Sequence, residues 1–296
     1  MKRKLSLLAL VALMLFSAMP VLAEDGFYVI AGRYTPGTKI TSLPYTITAQ
    51  GYYYLNRNLT YTGGDGITIT SDNVTIDLMG FALTGPGNNT NTGIDINGTN
   101  IEVRNGTVTG WFSAVYGHSG SNQRTIGVRA VGNTYGIVLV NGLIKDCTAS
   151  QGSFAEGLVG LTVLRGTISG CTVYNSTSSY QSSRGLYIGK SGTVSDNVVL
   201  DWAAIGIEGY ALSAEVGPTT ISNNAVINCG TGISSKGGGS VIGNAVKANA
   251  GQTGIAPATE TTPSATPTLL DQNSVNGDGI HYGPGNTATV KGLNGG

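Results

Sequence analysis

The sequence predicts an all-β chain wound as a parallel β-helix of about nine or ten short coils, and three observations carry that expectation. The first is a six-residue frame, apolar-polar-polar-Asn-small-apolar, clearest at Val194 to Val199 and Ile221 to Val226. It returns at Val241 to Val246 and Leu270 to Val275. Cys takes the Asn position at Ile144 to Ala149 and Ile168 to Val173. Frames starting at 144, 168, 194, 221, 241 and 270 form an internal repeat of roughly one coil length. The second is an interleaved Gly-Ile/Leu-x-apolar pattern, as in Gly66-Ile67-Thr68-Ile69, Gly136-Ile137-Val138-Leu139 and Gly185-Leu186-Tyr187-Ile188. Each copy is a short strand with alternating faces. The third is composition: 46 Gly, 11% charged residues and abundant Asn and Thr suit turns and short strands. No such unit buries its apolar face alone; stacking units about 4.8 Å apart builds one continuous core.

In chain order, residues 1–23 read as a signal peptide. Lys2, Arg3 and Lys4 precede an apolar run from Leu5 to Phe16, and Val21-Leu22-Ala23 offers a small-residue cleavage site. The run is short for a membrane span, and no later stretch looks transmembrane. Residues 24–61 form an expected N-terminal cap, needed because an open first coil exposes core and strand edges; Tyr52 to Leu55 alternate as cap or first-coil strand. Residues 62–285 are the expected helix, interrupted at 253–268 by a Thr/Pro-rich irregular insertion, and 286–296 form a polar Gly-rich tail. The chain balances 16 basic against 16 acidic residues, and loss of the leader's three basic residues leaves 13 against 16. That balance carries no nucleic-acid footprint.

The repeated slot predicts a structural ladder of Asn197, Asn224, Asn244 and Asn273, whose amides bond from coil to coil. Cys147 and Cys171 hold the same slot one coil apart. They fit a stacked pair of small buried side chains, or a disulfide whose geometry between registered parallel strands is poor.

The opening coils, Asp65 to Gly85 followed by Val103 to Trp111, together with the Ile-x-x-Asn-x-Val frame, resemble secreted bacterial right-handed parallel β-helix proteins of the pectin-lyase-like superfamily. The resemblance covers roughly residues 40 to 285. It implies the fold, and it implies a carbohydrate groove along the side where long loops meet the Gly-Ile strands; that superfamily holds lyases, hydrolases, epimerases, tailspikes and non-catalytic surface proteins, so it leaves the activity open.

Three long loops precede Gly-Ile strands: Thr109 to Thr125, Ser150 to Glu156 and Tyr174 to Arg184. With outward strand positions Asp95, Arg129, Val138, Thr162, Tyr187, Glu208 and Ser234, they supply the rings, cations and carboxylates that hold sugar faces and hydroxyls. The expected substrate-binding residues are Trp111, Tyr116, His118, Arg124, Arg129, Tyr180 and Tyr187. The candidate catalytic residues are Arg184 and Lys190 as lyase bases and Glu208 as a hydrolytic acid; Arg184 fits a structural salt bridge equally, and His118 a loop hydrogen bond. Polygalacturonase motifs are missing, no metal site is spaced in the chain, and calcium enters only in a lyase. Two readings follow. One is a secreted, periplasmic or cell-surface β-helix that binds, and as a polysaccharide lyase or glycoside hydrolase would modify, an extracellular polysaccharide or surface glycan. The other is a non-catalytic envelope or adhesive solenoid.

Overall fold

The computed structural model of the protein describes residues 37–87, 90–151, 159–175, 183–210, 217–236, 239–257, 268–276, 279–280 and 289–291. Among these residues the chain forms 27 strands and no helix, and the strands pair in parallel from coil to coil. The architecture is a parallel β-helix. Each coil lays strands on three faces, named A, B and C in chain order.

Face A starts with Tyr45–Ile47, Ile67–Ile69, Thr92–Asn97 and Ser113–Ser119. It continues through the first halves of Tyr135–Lys145, Val159–Ser169 and Arg184–Ser195, then Ile205–Tyr210, Thr231–Lys236 and Ile255–Pro257. Face C stacks ten strands, from Leu59–Thr60 and Ala82–Thr84 through Thr172–Tyr174 and Val198–Leu200 to Ser274–Asn276. Face B lies between them. It begins at Thr38–Ile40 and Gly51–Leu55, so the first coil's strands fall inside the segment read as a cap.

Register explains the core. Ile67, Ile94, Val115, Ile137, Leu161, Leu186, Ile207, Ile233 and Ile255 stand on one another on face A, each without exposed surface. Ile76 and Val103, then Thr125, then Ile144, Ile168, Val194, Ile221, Val241 and Leu270 do the same on face B, the one polar member being the buried Thr125. A buried aliphatic side chain contributes about 1.5–3 kcal/mol, so branched aliphatic residues recurring at one slot add such a contribution with nearly every coil. A one-residue slip would turn every column outward.

Corners come from backbone conformations that few residues accept. Between faces B and C one residue per coil takes the left-handed conformation: Asn105, Gly127, Asp146, Gly170, Asp196, Asn223, Gly243 and Gln272, with φ from 52° to 66°. Gly, Asn and Asp dominate because they tolerate it. Between faces A and B, Gly166 and Gly192 leave no alternative. A Cβ on either would lie 1.9 Å from the carbonyl oxygen of the glycine one coil before.

The residue after the left-handed position points inward, and there the expected ladder forms. Asn224 Oδ1 accepts the backbone N–H of Asn197 at 3.0 Å and its Nδ2–H at 2.9 Å. Asn244 Oδ1 receives the same pair from Asn224, and Asn273 Oδ1 from Asn244. Each amide also donates to a strand carbonyl, as Asn224 Nδ2 does to Val194 O at 3.0 Å. Cys171 continues the scheme, its N–H donating to Asn197 Oδ1 at 2.9 Å, and Cys147 N–H donates to Cys171 Sγ at 3.4 Å. All three cysteines are buried free thiols, so Cys147 and Cys171 are the stacked pair and not a disulfide. The Cys171 contact and burial push the Cys147 thiol well above its ordinary range, and burial pushes Cys229 up to about 11.

Two expectations fail here. The segment Thr109 to Thr125 is not one long loop: it holds the face A strand Ser113–Ser119, in register with Thr92–Asn97 and Tyr135–Lys145. The strand was hidden because Ala114 stands where its neighbours have Gly. Trp111 is no surface residue. It is completely buried at the corner from face C to face A, its backbone N–H donating to Asn133 Oδ1 at 2.9 Å and its indole N–H facing Leu83 O at 3.5 Å. Trp202 is likewise buried. Both are core, since a concave corner needs a larger side chain than a flat face.

Candidate functional site

Face A presents one outward column in unbroken register: Thr68, Asp95, Tyr116, Val138, Thr162, Tyr187, Glu208 and Ser234. Six of these were expected from the Gly-Ile pattern. Tyr116 takes the place expected for Arg129.

A groove of about 610 Å³ runs over this column. Val138 and Thr162 form a low floor between two aromatic walls, Tyr116 and Tyr187, three rungs or about 14 Å apart. Along the edge stand Phe112 and Tyr135, packed edge to face with ring centroids 4.9 Å apart. The far end is polar. Glu208 is fully buried, and two cations converge on it: Arg184 Nε bonds Oε2, and Lys236 Nζ lies 3.2 Å from Oε1. Arg184 lies over the ring of Tyr187 at 5.6 Å and Lys236 over that of Tyr210 at 5.4 Å. The two rings are 6.3 Å apart. One carboxylate therefore fixes two cations, each against its own tyrosine, and a surplus positive charge faces the groove. Burial, then the charge of Glu208, raises the Tyr187 phenol above its ordinary value. Its hydroxyl stays protonated as a donor, and one side of its ring carries Arg184.

At the opposite end His118 Nε2 lies 2.7 Å from Asp95 Oδ1, and Asn97 Nδ2 donates to Asp95 Oδ2 at 2.8 Å. The rings of Tyr116 and His118 are 4.4 Å apart.

The structure brings together Tyr116, Tyr187, Arg184 and Glu208 in the groove, with His118 at its end. It separates the others. Arg124 stands on face B, 3.8 Å from Glu102, and Arg129 on face C, where its Nε donates to Thr107 Oγ1 at 3.0 Å. Both were misplaced because the hidden strand shifted the reading of this coil by one face. Lys190 falls at the register shift where its strand turns from face A to face B and does not line the groove. Tyr180 and Glu156 lie outside the described residues. Tyr135, Tyr210 and Lys236 were missed. Tyr135 precedes Gly136 as Arg184 precedes Gly185, and Tyr210 pairs with Lys236, so reading the repeat by columns would have found all three.

Two carboxylates flanking a glycosidic bond stand about 5 to 9.5 Å apart. Asp95 and Glu208 are five rungs apart, about 24 Å. Among the described residues the groove therefore lacks a hydrolytic acid pair. Arg184, offered as a base, is engaged with Glu208. Also among the described residues, no three His, Cys, Asp or Glu side chains cluster as a metal site, and no helix is long and apolar enough to cross a membrane.

No protein-family model matches the chain, and no curated protein matches its sequence. Solved structures do match. The Dettilon tailspike protein superposes with a TM-score of 0.59 at 15% identity, over 86% of this chain and 60% of that one. A mutant tailspike of E. coli bacteriophage HK620, solved in complex with a pentasaccharide, gives a TM-score of 0.57 at 14% identity, over 87% and 58%. The A-module of the Azotobacter vinelandii mannuronan C-5 epimerase AlgE4 gives 0.50 at 13%, over 85% of each chain. The chain thus spans about 60% of the tailspikes' length, and at these identities the likeness is one of fold.

Proposed function

We propose that the protein binds an extracellular polysaccharide along face A, in the groove between Tyr116 and Glu208. The observation that carries this reading is the series of rings along one straight, open trough: Tyr116, Tyr135, Tyr187 and Tyr210, with Arg184 and Lys236 held among them. Rings take the apolar faces of sugars, and fixed cations take hydroxyls or acidic substituents. An open trough admits a chain that continues beyond both ends, as a polysaccharide does. The fold likeness to tailspikes, one of them holding a pentasaccharide, supports the reading. The leader-like start of the sequence supports action outside the cytoplasm, in the periplasm or at the cell surface.

Binding is favoured over cleavage, because the groove has a single carboxylate at its centre of charge and that carboxylate is already bridged by two cations.

The test is a panel of acidic and neutral polysaccharides titrated against the purified chain, with unsaturated-product absorbance and reducing ends followed in parallel. The expected result is micromolar or tighter binding to one class with neither product signal. Binding to none would overturn the proposal; product formation would replace it with a lyase or a hydrolase.

A further inference from the structure

Next to the groove, one rung beyond its lining residue Tyr116, lies a second polar cluster that the ring-and-cation cluster does not use. We infer that Asp95, His118 and Tyr116 form a distal hydroxyl-binding subsite, so that the ligand is an extended glycan lying along the helix axis in one fixed direction. The inference rests on the glycan reading of the groove and specifies its length and polarity.

Register sets the geometry. Asp95 and Tyr116 are adjacent rungs of the column that continues to Tyr187 and Glu208. Tyr116 belongs to both ends: it lines the groove and packs against His118 at 4.4 Å. Asp95 is held by Asn97 Nδ2 at 2.8 Å, and its second oxygen meets His118 Nε2 at 2.7 Å. The imidazole is thus oriented through one nitrogen. The contact is close but not aligned as a hydrogen bond, and Asp95 Oδ1 accepts no hydrogen bond among the described residues. His118 is half exposed, while the Asp95 side chain is 14% exposed, so ligand meets the imidazole and the carboxylate acts through it. Asp95 is the positioning residue and His118 the contact.

The two ends differ in chemistry. The Glu208 end carries two cations on one carboxylate; the Asp95 end carries one carboxylate and an imidazole. A chain with an acidic or strongly polar unit at one end and plain hydroxyls at the other fits in one direction and not the reverse. The intervening floor, Val138 and Thr162, offers a smooth path. A pyranose unit in an extended chain is comparable in length to one rung, so contact with both ends needs about four or five units.

The experiment is affinity against length. Size-fractionated oligomers of polygalacturonate, alginate and xylan, from disaccharide to octasaccharide, are titrated against the wild-type chain and against His118→Ala, His118→Gln and Asp95→Asn. The fractions used are those of whichever polymer binds wild type best. The expected wild-type profile rises between trisaccharide and hexasaccharide. His118→Ala and Asp95→Asn flatten that rise, costing about tenfold for hexasaccharide and longer and nothing for disaccharide. His118→Gln, which keeps a polar reach, restores part of it. Unchanged melting temperatures separate this from misfolding; should His118→Ala not fold, His118→Gln against Asp95→Asn carries the comparison. A wild-type rise that the variants preserve would overturn the distal subsite while leaving the groove reading intact. No binding of any fraction by wild type would overturn both.

Discussion

Two clusters on this molecule have the same ingredients and different fates. On face B, Tyr52 and Tyr54 stack with centroids 6.1 Å apart, Arg104 lies over Tyr52 at 5.9 Å, and Arg104 bonds Asp77 at 2.9 Å and Glu102 at 3.1 Å. On face A, Tyr187 and Tyr210 carry Arg184 and Lys236 around Glu208. Ring, cation and carboxylate recur, and it is the face A cluster that lines the groove of about 610 Å³. The difference is what the carboxylate holds. Asp77 is bound into the backbone: Oδ1 accepts the Met79 N–H at 2.8 Å and Asn105 Nδ2 at 3.2 Å, fixing the turn after its strand. Glu208 holds only side chains that line the groove. Residue types therefore do not make a site; a concave wall and a carboxylate with no structural task do.

The comparison can be broken in several ways, and the largest effect concerns the scaffold common to both faces. Asn224→Ala removes the acceptor of two bonds from Asn197 and the donor to Asn244, leaving buried partners unpaired; it should cost on the order of 3 kcal/mol, read by chemical denaturation. The isosteric Asn224→Asp should not rescue it, because a carboxylate lacks the amide hydrogens the ladder uses.

Next comes Glu208→Gln. It leaves Arg184 and Lys236 without their shared counter-charge. Affinity for an acidic polysaccharide should rise severalfold and that for a neutral one fall, by isothermal titration. Equal changes for both would show that Glu208 does not set the charge of the groove.

Asp77 gives a pH signature on the other face. Burial alone would raise its pKa, but the Met79 N–H and the Arg104 guanidinium outweigh burial and hold it below the usual carboxylate range. A carboxylate lowered in the folded state adds stability that is full above its unfolded pKa and is lost as pH falls through the folded one. Wild type should therefore lose stability below about pH 4, and Asp77→Asn should flatten that acid loss, in melting curves taken across the range.

The smallest effect is expected at Arg124, which is 42% exposed and 3.8 Å from Glu102. Arg124→Ala should change stability by less than about 0.5 kcal/mol and leave glycan binding untouched.

Much of this was legible in the chain because a stacked repeat writes its three-dimensional neighbours at one sequence period. The ladder of Asn197, Asn224, Asn244 and Asn273, the stacked Cys147 and Cys171, and most of the outward face A column follow from slot identity alone. Reading failed where a slot was filled by a different residue for the same physical task. Ala114 replaced the usual Gly and concealed a strand, which sent Arg129 to the wrong face and made Trp111 look like a loop aromatic. Tyr135, Tyr210 and Lys236 lie outside the Gly-Ile frame itself, so a motif reading passed over them. Lys190 shows the converse: it sits near the right strand, but a register shift carries it around the corner.

The central claim is that face A, and not the chemically similar face B, binds polysaccharide. The most direct measurement is the affinity of matched tyrosine variants, Tyr187→Ala and Tyr52→Ala, for whichever polysaccharide the panel selects. A stacked ring contributes about 0.5–1.5 kcal/mol beyond its buried area, so Tyr187→Ala should weaken binding about tenfold while Tyr52→Ala matches wild type. Loss of binding in Tyr52→Ala with Tyr187→Ala unaffected would contradict the account and move the site to face B.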